Sequence, residues 1–139
     1  MVEEWRAVVG YEGLYEVSNT GKVRSVTHMI HVNWNGHKYD RVVRGKLLQP
    51  KTTNNTRYLR IDLCDKNHVK KEHLIHRLVA QAFIPNPNNY PMINHKDENR
   101  WNNNVNNLEW CTASYNNNYN NGQKRRAITR KLNKNLKNF

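Results

Sequence analysis

Short segments in which apolar and polar residues alternate occupy much of the first 75 positions, a pattern typical of β-strands. Residues 15–17 end at a Ser-Asn-Thr-Gly turn, and residues 22–26 then resume the alternation, which predicts two short strands around that turn. Further strands are predicted at residues 41–48, 57–64 and 69–75. The first half of the chain is therefore predicted to form a small, mostly antiparallel sheet.

The spacing of apolar residues changes at His76, after which Leu78, Val79, Ala82 and Phe83 follow helical intervals. The prolines at positions 85 and 87 cannot continue a helix, so the predicted helix ends before them. An α+β chain is expected, because a helix follows a run of strands.

A further strand and a second helix are predicted later in the chain. A short extended segment precedes a long polar loop at residues 96–107, and residues 108–111 are predicted to return as a strand. Thr112 or Ser114 is then expected to cap a helix that continues to about Asn121.

Length and composition narrow the class of protein. A chain of 139 residues with 37% hydrophobic and 24% charged residues suits one globular domain with a modest core. Cys64 and Cys111 are far apart and belong to no Cys-x-x-Cys pair, so neither a disulfide framework nor a zinc site is expected. No stretch approaches the ~20 apolar residues of a membrane span, and the first residues lack a signal peptide's basic and apolar regions. An intracellular (cytoplasmic) protein without a membrane partner is expected.

Positive charge is concentrated toward the carboxy terminus. The chain has 23 Lys and Arg against 11 Asp and Glu, a formal net charge of +12. Seven of these cations and no acid fall in residues 122–139, where Ile128, Leu132 and Leu136 are spaced by four and predict a basic helical tail. This charge indicates a polyanion partner, most commonly nucleic acid. A solvated tail that only aids solubility is the alternative, and an acidic membrane surface is disfavoured because few large apolar residues are available to insert.

Two other features have both a structural and a functional interpretation. Asparagine supplies 24 of the 139 residues, so a low-complexity tract has to be weighed, but Trp101, Val105 and Trp110 interrupt the densest part and favour an ordered loop. His73 and His76 are spaced i, i+3, yet the segment has no third ligand nearby, so packing or DNA contact is favoured over a metal site.

The strongest signal lies between residues 94 and 116. The segment reads Asn-His-Lys-Asp-Glu-Asn-Arg-Trp-Asn-Asn, followed by Asn-Leu-Glu-Trp-Cys-Thr and a further Asn. It resembles the HNH nucleases of the homing-endonuclease type. In their ββα-metal core a His ends the first strand, an Asn opens the second, and an Asn or His lies on the following helix. The positions in register are His95, Asp97, Asn102, Asn103, Asn107, Leu108, Trp110, Thr112 and Asn116.

A second resemblance covers residues 4–25, which read Glu-x-Trp-x-x-Val-x-Gly-Tyr-Glu-Gly-Leu-Tyr-Glu-Val-Ser-Asn-x-Gly-x-Val-Arg-Ser. This segment is similar to a nuclease-associated modular DNA-binding motif found at the front of many such enzymes. The two resemblances imply that the chain has three parts. Residues 1–75 form an antiparallel sheet with the modular motif, residues 76–121 the ββα-metal core, and residues 122–139 the basic tail.

The resemblance also implies roles for individual residues. Phosphodiester hydrolysis needs an activated water and a cation that absorbs charge on the phosphate. His95 would be the general base, since an imidazole with a pKa of about 6.5 is mostly neutral at pH 7–8. Asn107 would orient that imidazole, and Asn94 and Asn116 would hold one divalent ion, Mg²⁺ or Mn²⁺. The expected catalytic set is thus His95, Asn107 and Asn116.

One position departs from the family pattern in a way that bears on the metal. Many relatives have Asp directly before the catalytic His, whereas this chain has Asn94. An amide oxygen can bind a cation but brings no negative charge, so weaker ion affinity is expected without DNA. Asp97 is a candidate for the compensating carboxylate, although a role in shaping the loop is favoured for it. Glu98 replaces the usual Gly of that loop.

Contact with double-stranded DNA is expected from basic residues on the predicted strands and in the tail. The candidates are Arg41, Arg44, Lys46, Arg57, Arg60, Lys124, Arg125, Arg126, Arg130 and Lys131. The preferred interpretation is a metal-dependent DNA endonuclease of the homing type, with a monomer favoured. A non-catalytic DNA-binding protein on a degenerate HNH scaffold is the main alternative. An RNA-binding protein would leave the ordered spacing of His95, Asn107 and Asn116 unexplained.

Overall fold

The computed structural model describes residues 2–53 and 56–119. Within them, the elements are β1 (Trp5–Ala7), β2 (Tyr15–Ser18), β3 (Val23–Ser25), β4 (His28–Trp34), β5 (His37–Val43), β6 (Lys51–Thr53), β7 (Thr56–Cys64), β8 (Lys70–Leu74), α1 (Ile75–Phe83), β9 (Met92–His95), a 3₁₀ turn (Val105–Asn107), β10 (Leu108–Cys111) and α2 (Ala113–Asn118). Each strand pairing in this part of the chain is antiparallel. The expected α+β class is confirmed, and the strands before α1 divide among three sheets.

An unpredicted hairpin joins β4 and β5. Its turn is Asn35-Gly36, with φ of 51° and 80° at the two residues. Positive φ at both positions is the geometry that Asn-Gly favours between two strands. Most side chains of β5 are exposed on both faces, so no apolar face marks the strand in the sequence.

The strand predicted at residues 41–48 is wrong in its second half, because β5 ends at Val43. The following segment lies along β3 instead. The Ser25 amide donates to the Lys46 carbonyl at 2.9 Å, and the Leu48 amide donates to the Val23 carbonyl at 2.9 Å. A Cβ at Gly45 would lie 2.3 Å from the Ser25 carbonyl oxygen, so only glycine permits this approach.

Helix α1 lies at the centre of the core. It packs against β2, β7 and β8 on the amino-terminal side and against β9 and β10 of the second hairpin. Val8, Val17, Leu63, Ile75 and Val79 are each 0% exposed. The predicted helix and its end before the prolines are confirmed, and its apolar face joins the two halves of the chain in one core.

The second hairpin and α2 form the last described part. β9 and β10 pair with Asn94 opposite Glu109 and His95 opposite Leu108. The Tyr115 amide donates to Thr112 Oγ1 at 3.1 Å, so Thr112 is the cap of α2. The helix packs against β9. The predicted end near Asn121 and the basic helical tail lie outside the described residues.

Neither described helix is long and apolar enough to span a membrane.

Candidate functional site

His95 is the last residue of β9, and its side chain is buried. Only 6% of the residue is exposed, and its Nε2 lies 2.9 Å from Asn103 Oδ1. Because an amide oxygen only accepts hydrogen bonds, this contact assigns the ring proton to Nε2 and leaves Nδ1 with the lone pair. The imidazole is therefore held in one orientation and one tautomer by Asn103.

The turn of the front motif holds Asn103 in place. The Val105 amide donates to the Asn19 carbonyl at 2.9 Å, and Asn103 itself is 3% exposed. A Cβ at Gly21 would lie 3.0 Å from Asn103 Cβ, and Gly21 has a φ of +96°. Both the contact and the backbone conformation favour glycine at this position. The front motif thus packs directly against the residue that orients His95.

Burial lowers the pKa of His95 below its ordinary value. The hydrogen bond to Asn103 opposes this shift, as does the Asp97 carboxylate, while the Arg100 cation adds to it. The neutral ring is therefore favoured at physiological pH. A neutral histidine whose Nδ1 carries the lone pair is suited to accept a proton.

Two aromatic rings pack around His95. The His76 ring lies edge-on to it with centroids 5.0 Å apart, and Tyr58 lies 5.0 Å from His76 and 6.0 Å from His95. His76 is 6% exposed, and burial, followed by the neighbouring His95, lowers its pKa to about 3. His76 is therefore uncharged at working pH. His73 instead lies 2.8 Å from the Tyr11 hydroxyl through Nε2, in a packing contact away from this ring cluster.

Asn107 shapes the loop that follows His95. Its Nδ2 donates to Asp97 Oδ1 and to the Asn102 carbonyl, each at 2.8 Å. Its Oδ1 accepts from the Asp97 amide at 2.9 Å, and its carbonyl accepts from the Lys96 amide at 2.8 Å. The side chain that bonds the imidazole is therefore that of Asn103. Asn107 does not bond the ring in the structure but holds the backbone that follows His95.

Asp97 and Glu98 complete this loop. The Asp97 carboxylate also accepts from the Asn99 amide and from Asn102 Nδ2, each at 2.8 Å, so its oxygens serve the loop. These hydrogen bonds, with that of Asn102 first, lower the pKa of Asp97. Glu98 has a φ of 63°, the left-handed conformation that glycine adopts most readily. The loop therefore keeps its turn without the glycine.

The two predicted metal ligands lie on neighbouring elements. Asn94 is 5% exposed on β9, and its Nδ2 donates to Glu109 Oε1 at 2.9 Å, which leaves Oδ1 as its available ligand atom. Asn116 is half-buried on α2, which packs against β9. Within residues 2–53 and 56–119, no three His, Cys, Asp or Glu side chains come together as a metal site. The amide oxygens of Asn94 and Asn116 are ligands of a type that suits Mg²⁺ or Mn²⁺.

The predicted DNA-binding residues are spread over several elements. Arg41 is exposed on β5, and Arg44 and Lys46 are exposed in the segment after it. Arg60 lies on β7, in a different sheet, and pairs with Glu72. The side chain of Arg57 and the residues Lys124, Arg125, Arg126, Arg130 and Lys131 lie outside what the structure describes.

Sequence reasoning missed the specific roles of Asn103, His76 and Glu109. Asn103 was in register with the family pattern, but nothing in the spacing indicated that it would contact His95. His76 is separated from His95 by 19 positions, and only packing of α1 on β9 brings the rings together. Glu109 could have been found from the strand register, because a strand pair beginning at His95 and Leu108 puts it opposite Asn94.

Family models match two consecutive parts of the chain. The NUMOD4 motif matches residues 3–64, and the HNH endonuclease model matches residues 73–118. The first range contains the turn at Gly21, and the second contains His95, Asn103 and Asn107. Both resemblances deduced from the sequence are thereby confirmed.

Individual relatives carry the same family name. The chain is 51% identical over 71 residues to "Uncharacterized HNH endonuclease L245" of Acanthamoeba polyphaga mimivirus, a match covering 51% of this chain and 21% of that protein. It is 35% identical over 113 residues to "DNA endonuclease I-HmuI" of Bacillus phage SP01, covering 81% of this chain and 55% of that protein. The chain thus spans about a fifth and about half of the length of these two relatives.

A solved structure shares the fold. The structure described as "DNA binding and cleavage by the HNH homing endonuclease I-HmuI" matches with a TM-score of 0.63 and 32% sequence identity. The match covers 94% of this chain and 68% of that chain. Family models match residues 3–64 and 73–118, and this structure is 32% identical with 68% of its chain covered, so the chain belongs to the HNH endonuclease family.

Proposed function

We propose that this protein is a metal-dependent DNA endonuclease of the homing type that hydrolyses phosphodiester bonds in double-stranded DNA. The observation that carries the proposal is the buried His95, whose Nε2 is held by Asn103 and whose Nδ1 is left as a base. The same histidine ends β9 in the matched HNH range. The relative I-HmuI is named as a DNA endonuclease, which supports DNA as the substrate class.

His95 acts as the general base in this mechanism. Its Nδ1 accepts a proton from the attacking water, while the hydrogen bond from Nε2 to Asn103 keeps the ring oriented through the transfer. Asn107 and Asp97 hold the adjoining backbone, so the ring keeps its position relative to the substrate phosphate. Lowered pKa values keep both His95 and the neighbouring His76 uncharged before the reaction.

The Oδ1 atoms of Asn94 and Asn116 would hold one divalent ion. The donor set fits such an ion, because the hydrogen bond to Glu109 occupies the nitrogen of the Asn94 amide and leaves its oxygen available. When bound, Mg²⁺ or Mn²⁺ would neutralise charge on the scissile phosphate and on the leaving oxygen.

Plasmid cleavage tests the proposed activity directly. Supercoiled DNA incubated with the 139-residue chain should be relaxed or linearised with Mg²⁺ or Mn²⁺, and a chelator should prevent this. Duplex binding without any cleavage would instead support the alternative, a non-catalytic DNA-binding protein on the HNH scaffold. Single-stranded RNA that displaces the duplex at equal concentration would support an RNA-binding protein.

Replacing Asn103 by Asp should shift the pH dependence of cleavage. In the parent, burial lowers the pKa of His95, so the neutral base persists to lower pH than for an exposed histidine. A carboxylate at position 103 would stabilise the imidazolium and raise that pKa by about one unit or more. The acid limb of the cleavage rate against pH should therefore move to higher pH by a similar amount.

Asn104→Asp is the matched control for this charge. Asn104 Oδ1 caps the 3₁₀ turn by accepting from the Asn106 amide, and Asp can accept the same bond. Its pH profile should follow the parent. Superimposable profiles for Asn103→Asp and the parent would show that position 103 does not act on the base.

Deleting residues 123–139 should weaken DNA binding and reduce its salt dependence. The deletion removes seven positive charges that lie outside the matched HNH range. Each phosphate contact contributes about −0.9 to the log–log salt slope, so the slope should become shallower by up to about 6. Fluorescence anisotropy of a labelled duplex over a salt series measures it. An unchanged slope would mean that the tail does not contact phosphate.

A further inference from the structure

A carboxylate lies directly beside the predicted metal ligand of β9. Glu109 is the cross-strand partner of Asn94 on β10, and its Oε1 accepts from Asn94 Nδ2 at 2.9 Å. Directly opposed residues of an antiparallel pair share one face of the hairpin. The face that carries Asn94 therefore also carries a negative charge.

One oxygen of this carboxylate, Oε2, accepts no hydrogen bond from the residues that the structure describes. The Tyr115 hydroxyl donates to Glu109 Oε1 at 3.1 Å, so both hydrogen bonds go to the same oxygen. Among residues 2–53 and 56–119, no side chain bonds Oε2 and no Lys or Arg lies within 4.0 Å as an ion-pair partner. The half-buried Glu109 carboxylate therefore has no neighbouring cation among the described residues. A bound positive ion would stabilise its charge.

Helix α2 brings the remaining candidate ligand to the same region. Tyr115 lies on α2 and contacts Glu109, and Asn116 is the next residue of that helix. The helix also packs against β9, which carries Asn94. Oxygen atoms from β9, β10 and α2 are therefore available in one part of the molecule.

We propose that Glu109 is the anionic ligand of the divalent ion, binding through Oε2 beside the Asn94 and Asn116 amide oxygens. This inference rests on the proposed function and assigns the metal's charged ligand to a strand other than the one that carries it in many relatives. The amide at position 94 contributes an oxygen but no charge, and Glu109 restores that charge one strand away. Attraction between opposite charges falls with distance, so a neighbouring carboxylate in the binding position has the largest effect on ion affinity.

A purely structural role for Glu109 makes a different prediction. In that case the carboxylate would only accept the hydrogen bonds of Asn94 and Tyr115. Glutamine keeps an Oε1 for both bonds but loses the charge. Glu109→Gln should then leave the affinity for the divalent ion unchanged. If Glu109 is a ligand, the same substitution should reduce that affinity.

Mn²⁺ binding to the DNA-free protein, followed by electron paramagnetic resonance, separates the two roles without depending on activity. Glu109→Gln should raise the Kd for Mn²⁺ by about tenfold or more. Glu4→Gln is the matched control, because Glu4 is exposed near β1 and its replacement removes the same charge. The control should keep the parent Kd. Equal Kd values for the parent and Glu109→Gln, including no binding by either, would overturn the proposal.

Moving the carboxylate from position 109 to position 94 should restore the ion affinity that Glu109→Gln loses. In the double variant Asn94→Asp/Glu109→Gln the amide and the carboxylate exchange strands, and the introduced glutamine amide can donate to the introduced aspartate across the pair. This double variant should recover the Kd to within a few-fold of the parent, and Asn94→Asp alone should bind Mn²⁺ more tightly than the parent. If the Kd of the double variant for Mn²⁺ does not recover, the proposal that Glu109 acts through its charge is contradicted. If the Mn²⁺ affinities change as expected but the parent does not cleave plasmid, the endonuclease proposal is rejected and Glu109 remains a metal ligand.

Discussion

Replacing His95 by alanine should reduce plasmid cleavage by about 10²- to 10⁴-fold, the usual contribution of a general base. The His95 imidazole is buried, and its Nε2 is held by Asn103. Because the residue is 6% exposed, it offers little surface to a duplex, and the Kd for DNA should change by no more than a few-fold. The measurement is the initial rate of supercoiled plasmid loss at saturating protein.

His68→Asn is a suitable control for the loss of a histidine. His68 is exposed in the turn between β7 and β8 and has a φ of 62°, a conformation that Asn tolerates. Its cleavage rate should match that of the parent. Residual cleavage by His95→Ala near the parent rate, in protein free of contaminating nuclease, would exclude His95 as the base.

Asn107→Ala should destabilise the folded protein and also reduce cleavage. The substitution removes two donated and one accepted hydrogen bond from a residue that is 8% exposed. It leaves the Asp97 amide and the Asn102 carbonyl without these partners, which should lower the free energy of unfolding by about 2–4 kcal/mol. Cleavage should fall at temperatures where the variant remains folded, because the loop after His95 loses its fixed shape.

Urea denaturation of the parent and of Asn107→Ala measures the first effect, and plasmid cleavage below the unfolding transition measures the second. Asn106→Ala is the neighbouring control, because Asn106 is exposed and its contact with Asn104 uses the backbone amide. Asn106→Ala should change the free energy of unfolding by less than about 0.5 kcal/mol. A stable but inactive Asn107→Ala would place Asn107 in the chemistry, and a stable, active one would remove it from both roles.

Contact between the front motif and the His95 site gives the two matched ranges a physical connection. Gly21 lies against Asn103, and the Asn19 carbonyl accepts from the Val105 amide. Through Asn103, the turn of the first motif constrains the imidazole of the second. The modular motif therefore helps to build the geometry around His95 in this chain.

The locally encoded parts of the structure could be predicted from the sequence. Helix α1 was evident because apolar residues at helical intervals end at prolines, and both are properties of neighbouring positions. The position of His95 at the end of β9 followed from the resemblance to the HNH pattern, which lies within one short segment of the chain. The hairpin of β4 and β5 was missed although Asn35-Gly36 marks it, because no apolar face accompanied the turn.

The sequence by itself determined the α+β class, the family, and the identity of His95, Asn107 and Asn116 as the residues to test. Only the tertiary structure decided which atoms meet. Gly21 and Asn103 are far apart in the chain, and the Asn94 amide meets the Glu109 carboxylate only through the register of β9 and β10. Periodicity reports which face of an element is buried, whereas a contact between two side chains depends on how separate elements pack. The orientation of the base and the charge beside the metal ligand are properties of that packing.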